Sequence, residues 1–233
     1  MMKPFRLLVP VLLLTAVPLA SGQVGRISSE RDLIDFMHSD LNYLENQRER
    51  YASIDGSPYL DESFREGSLS FRGTRYDGLA LRLNVYEGYF EFETDEGVKY
   101  FDPAETPADT VWMGGDTYLQ VYYRSGRNLK RSYMKLLNAG STAVLRESVI
   151  ILADPQPAQG YDEAKPARFE PRPDKLFIRV EGNTAQEFKG KNSLEEIFPD
   201  HLEELAGFVK AEKLKLKKEE EIIRLCTYYD SIR

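Results

Sequence analysis

From Leu69 onward the apolar residues of this chain fall at every second position, and that period restricts the fold more than any other feature. Leu69 and Phe71 alternate with serines. Leu79, Leu81, Leu83 and Val85 alternate with Ala80, Arg82, Asn84 and Tyr86, and Phe90 and Phe92 with Tyr89, Glu91 and Glu93. A period of two sends one set of side chains to a core and the other to water, as a strand does and a helix cannot. The joints carry turn chemistry. Glu87-Gly88 suits a two-residue hairpin loop, and Asp95-Glu96-Gly97 a three-residue loop with glycine in the left-handed region. Ser125-Gly126 joins DTYLQVYY to RNLKRSYMKLL. With no helical stretch between these segments, the spacing predicts an antiparallel meander.

Both flanks read as helix. Leu33, Ile34, Met37, Leu41 and Leu44 recur at helical spacing, predicting a helix from about Glu30 to Arg48. From Ser193 the period is helical again, with Ser193 and Glu196 as a capping box and Pro199 in the first turn of the next helix. Leu202, Leu205, Ala206 and Val209 share one face there; Ile222, Ile223, Cys226 and Tyr229 share another in the last helix. The expected class is α+β: a curved antiparallel meander of about eight to ten strands, half-barrel or sandwich-like. An N-terminal helix and a C-terminal helical pair would cover it.

The chain divides accordingly. Lys3 and Arg6, the apolar run Leu7 to Ala20 and the small residues Ala20, Ser21 and Gly22 predict a signal peptide over 1–22, cleaved before Gln23. A membrane span needs about 20 apolar residues, and this run is shorter and holds Pro10 and Pro18. The mature chain is therefore expected to be secreted across the inner membrane, with no transmembrane segment. A helical segment occupies 23–52, a β-domain 53–192 and a helical hairpin 193–233. Within the β-domain, ADPQPAQGYDEAKPARFEPRPD (153–174) holds five prolines and reads as an exposed insertion between two strands.

Before the first alternation stands GSPYLDESFREGSL. Pro58 fixes an extended backbone, and Tyr59, Leu60 and Phe64 suit a plug for the end of a β-core. Asp61, Glu62 and Glu66 offer carboxylates, but DESFRE lacks the alternating ligands around a tight glycine turn that a Ca²⁺ loop requires. Cys226 is the single cysteine, so no internal disulfide forms; on the apolar face of its helix it reads as core. The two histidines, His38 and His201, belong to no spaced ligand set, and no metal site is expected. G-x-S-x-G, P-loop and G-x-G-x-x-G motifs do not occur, so the sequence names no catalytic residue and no cofactor.

Charge narrows the partners. Removing 1–22 takes the formal charge from −7 to −9, which gives no general attraction for nucleic acid. The one local reversal is YYRSGRNLKRSYMK, where Arg124, Arg127, Lys130, Arg131 and Lys135 occur with no acid among them and with Tyr122, Tyr123 and Tyr133 interleaved. Basic residues with aromatics hold anionic groups by charge and stacking; the same run also suits the solvated rim of a hairpin. Tyr122, Arg124, Arg127, Lys130 and Arg131 are the candidate partner-binding residues, toward an anionic envelope component or another envelope protein.

The arrangement from about Tyr51 to the C-terminus, leaving out the proline-rich stretch, resembles a family of uncharacterised secreted proteins of Bacteroidota. The resemblance rests on GSPYLDESFREGSL, TRYDGLALRLNVYEGYFEF, YYRSGRNLKRSY and KAEKLKLKKEEEIIRLCTYYDS. It implies an envelope location and transfers no functional residue. The expected function is a non-catalytic secreted binding or scaffolding protein. The alternatives are a carrier of an apolar ligand in the concave face of the sheet and a hydrolase using two carboxylates.

Overall fold

A computed structural model describes residues 41–95, 97–101, 108–158 and 163–233. Ten strands form one antiparallel sheet: β1 (Arg65–Phe71), β2 (Thr74–Asn84), β3 (Tyr89–Thr94), β4 (Gly97–Tyr100), β5 (Thr110–Met113), β6 (Asp116–Ser125), β7 (Asn128–Leu136), β8 (Thr142–Ala153), β9 (Arg168–Val180) and β10 (Gln186–Glu187). Helix α1 (Leu41–Tyr51) precedes them, and α2 (Leu194–Ile197), α3 (Leu202–Ala211) and α4 (Glu219–Ile232) follow. The α+β class and the antiparallel sheet are as the period predicts. The expected helix before Leu41, like His38 and the segment 1–22, lies outside the described residues.

The spatial order is β10-β9-β8-β7-β6-β5-β1-β2-β3-β4. A single meander would set β4 beside β5. Instead β5 pairs with β1, Ser68 facing Trp112 and Leu69 facing Val111, so two meanders meet at the β1–β5 ladder and β4 becomes an edge. Gly67 allows this junction, because a Cβ there would stand 2.3 Å from the Trp112 carbonyl oxygen. The far end curls back: Ala185 N–H donates to the Tyr122 carbonyl (2.8 Å), bridging the β10 end to β6.

This curvature gives β6–β7 two cores. On one face Tyr133 meets Phe90 at 5.0 Å, within a cluster that includes Leu69, Leu81, Phe92 and Val111. On the other, Val121 and Met134 pack with Leu145 and Phe177. A third core lies where α2–α4 cover Val144 and Ile178 with Phe198, Leu205, Leu225 and Cys226. Each such fully buried large side chain contributes about 1.5–3 kcal/mol of transfer free energy. Asp230 of α4 fastens the helices to the sheet by accepting the Thr142 hydroxyl (2.6 Å) and backbone N–H (3.1 Å).

Several local expectations change. The β2–β3 loop has four residues, because Val85 and Tyr86 donate their N–H groups to the Pro58 carbonyl instead of extending the ladder. Thr94 pairs with Gly97, so that glycine opens β4 and is not a loop residue. The capping box at Ser193 does not form; the Ser193 hydroxyl accepts the Lys189 N–H at 2.8 Å. The proline-rich insertion is shorter than 153–174, since β9 begins at Arg168 and pairs with β8 through Pro171 and Arg172. Pro171 and Pro173 are tolerated because they stand on the outer edge. Phe169, two residues earlier, sends its N–H outward to the Asp55 carbonyl (2.8 Å), so the alternation aims positions 171 and 173 the same way.

The segment before β1 is a clasp. The Arg82 guanidinium lies 4.1 Å from the Tyr59 ring and 4.3 Å from that of Phe64. It pairs with Glu91, a fully buried carboxylate that also accepts the Tyr59 hydroxyl (2.8 Å) and the Asn84 amide (3.3 Å). Leu60, expected in the plug, is instead 60% exposed. Asp61 accepts the Ser63 N–H (2.9 Å) and pairs with Arg65, and these contacts hold its carboxyl below the usual range.

Candidate functional site

The basic run folds as the β6–β7 hairpin. Ser125 faces Asn128 across a loop of Gly126 and Arg127, and Gly126 takes the positive φ of 61° that opens such a turn. Cross-strand partners share a face. Tyr122 stands opposite Arg131 and Arg124 opposite Leu129, so these four side chains lie on one face near the tip. Lys130, opposite Tyr123, belongs to the other face, and Arg127 occupies the turn.

The structure thus keeps the five sequence-predicted residues in one hairpin and divides them between two faces and a turn. Arg124, Arg127 and Lys130 are exposed and make no ion pair among the described residues. Arg131 is half-buried; it donates weakly to the Tyr122 hydroxyl (3.5 Å), with its guanidinium 5.5 Å from that ring. Arginines elsewhere meet carboxylates, as in Arg75–Asp77, Arg146–Glu219 and Arg224–Glu212. Arg124, Arg127 and Lys130 are different: their charge faces solvent.

The remaining members of the run have other work. Lys135 pairs with Asp116 at 2.6 Å. Tyr123 packs on Phe177 (5.0 Å), and burial with the neighbouring Glu147 pushes its hydroxyl up to about 12. Tyr133 is buried and its hydroxyl accepts the Ala108 N–H at 3.0 Å. Sequence reasoning overlooked Leu129. It is 58% exposed, and with Tyr122, at 48%, it places two large apolar surfaces among the cations. The signal was available, since Leu129 sits two residues before Arg131 and therefore shares its face.

The other candidates are structural in their contacts. Cys226 is fully buried, and its thiol is pushed up to about 12 by desolvation and by Asp230. His201 lies against Tyr229, ring centroids 5.6 Å apart, and 3.7 Å from Glu204. Among the described residues no three His, Cys, Asp or Glu side chains are grouped to hold a metal ion, and no helix is long and apolar enough to cross a membrane. Comparisons with protein-family models, with curated proteins and with solved structures found no match to this chain.

Proposed function

We propose that this is a non-catalytic, secreted envelope-binding protein that docks on a phosphate-bearing anionic surface through the tip of the β6–β7 hairpin. The carrying observation is the set Arg124, Arg127, Lys130 and Arg131. It lacks carboxylate partners among the described residues and is interleaved with the exposed Tyr122 and Leu129, on a chain whose net charge is negative. Planar guanidinium groups match phosphate oxygens two at a time. Apolar side chains beside them suit the boundary between headgroups and acyl chains. A negative body attached to a positive tip also orients the molecule, tip first, at an anionic surface.

Co-sedimentation with vesicles containing phosphatidylglycerol or lipopolysaccharide, against pure phosphatidylcholine vesicles, tests the proposal. Each basic residue near such a surface contributes about 1 kcal/mol. The Arg124→Ala/Arg127→Ala/Arg131→Ala variant is therefore expected to bind roughly a hundredfold more weakly. Raised salt should weaken the wild type similarly. Equal retention of both proteins, or retention insensitive to salt, overturns the reading. Salt-sensitive retention on polyglutamate without vesicle binding replaces the lipid surface with an acidic protein.

A further inference from the structure

The β7–β8 ladder consists of two residue pairs, Lys135 with Arg146 and Leu136 with Leu145. Past Arg146 the strands separate. The β8–β9 ladder is also irregular there, its register shifting between Glu147 and Val149, so Ser148 sits where pairing lapses. Sheets broken in this way are recurrent positions for ligand sites. Ser148 at this break borders a cleft of about 270 Å³ beside the β1–β2 hairpin, which adjoins a recess of about 20 Å³ that reaches Arg146. Leu83, Val85, Tyr118 and Ser148 line both parts.

The two ends differ in chemistry. The outer end is apolar on one side, with Leu83, Val85 and Met113, and the 60% exposed Leu60 stands at its rim. Arg65 and Arg82 also reach this end; Arg65 is paired with Asp61 through Nε and Nη2, and Arg82 with Glu91 and the Glu62 carbonyl. At the inner end donors remain unused. Arg146 Nε is buried with no hydrogen-bond acceptor among the described residues, the Asp174 carboxylate standing 3.9 Å away. Tyr118 and Ser148 line the same recess, and neither hydroxyl has a hydrogen bond among the described residues. Burial and Asp116 hold the Tyr118 hydroxyl above the ordinary tyrosine range, against the opposing pull of Arg65 and Arg146, so it stays protonated at neutral pH and able to donate. A buried orphan donor calls for an acceptor from outside the chain. The recess has room for a water-sized group.

From this arrangement we infer a second binding site, separate from the hairpin tip, that takes a small amphiphilic carboxylic acid. One oxygen of its carboxylate fills the recess and accepts from Arg146, Tyr118 and Ser148. Its apolar body lies along Leu83, Val85 and Met113 and is capped by Leu60. This would give the exposed Leu60 a partner surface and the orphan Arg146 Nε an acceptor. It differs from a carrier of a purely apolar ligand, because polar donors at the closed end select for the acid group.

Isothermal titration of the full chain with octanoate and with octan-1-ol tests the site. Octanoate is expected to bind saturably at one site, and octan-1-ol at least tenfold more weakly. Tyr118→Phe and Ser148→Ala, which remove hydroxyls that bond nothing else among the described residues, should each weaken octanoate by roughly two- to tenfold at unchanged melting temperature. Arg124→Ala/Arg127→Ala/Arg131→Ala should bind octanoate as the wild type does, so failure of the hairpin reading and failure of this one are distinguishable. Absent saturable binding, equal affinity for acid and alcohol, or full affinity in the Tyr118→Phe/Ser148→Ala double variant overturns the inference and leaves the recess as a water site.

Discussion

Glu91 is a carboxylate with no solvent exposure, held by Arg82, Tyr59 and Asn84. Removing one partner of such a pair strands a buried charge and costs about 3–5 kcal/mol. Glu91→Ala is therefore expected to lose that much in urea unfolding and to free the clasp at Tyr59 and Phe64 for proteolysis. A loss below about 1 kcal/mol would show that water replaces the carboxylate at the guanidinium. Cys226 makes a different prediction. Its thiol is raised above the ordinary value, so the folded state favours the protonated form. The resulting stability is fully present below the ordinary thiol range and is lost as pH rises through it toward about 12. At neutral pH a disulfide reagent should label Cys226 only at the rate of unfolding. Fast labelling in the native state would contradict the burial.

Among the elements, β9 departs most from what its composition promises. Five prolines in 153–174 argue against a strand, yet Phe169 is buried, its ring 5.1 Å from that of Tyr51 and 5.0 Å from that of Tyr86. Gln156 and Lys165 exchange both backbone hydrogen bonds at 2.9 Å, which closes the excursion before β9 starts. Deletion of 157–164, with a short glycine link, should therefore leave the melting temperature nearly unchanged. Deletion of 154–174 removes the Phe169 contacts and half of the β8–β9 ladder, and no folded protein is expected. Circular dichroism melts of the two variants check this, and similar melts would show that β9 adds no stability. The prolines serve a purpose where they stand: an outer edge without N–H groups at positions 171 and 173 offers a poor template for a second chain.

For the whole molecule, β6–β7 is the element that couples the cores. Tyr133 and Met134 are neighbours in sequence and point into different clusters, so damage on one side of the hairpin reaches the other. One cooperative transition is expected, with Trp112 fluorescence from the β1–β5 junction and far-ultraviolet circular dichroism giving the same urea midpoint. Met134→Ala, at a fully buried site, should lower both together by about 2–5 kcal/mol. Separate midpoints would show that the two meanders unfold independently.

Much of this architecture is local information. Alternation at Leu79 to Asn84 and at Phe90 to Glu93 specifies strands, because side chains two apart always share a side. The face expected toward water is nevertheless partly covered: Asn84 and Glu91 have no solvent exposure and Tyr89 is buried, because the other side of these strands is packed as well. Helical spacing around Leu205, Val209, Ile222 and Cys226 likewise marks the faces that become core. The acid-free run at Arg124 to Lys135 marks the hairpin whose cations Arg124, Arg127 and Lys130 stay unpaired among the described residues. What the period leaves open is the neighbour. An alternating strand suits any partner that buries the same face, so the pairing of β5 with β1 was settled by packing between distant segments. The same holds for the proline-bearing β9, the exposure of Leu60, and the cleft past Arg146. Each depends on which residues arrive from elsewhere in the chain, and no local pattern carries that information.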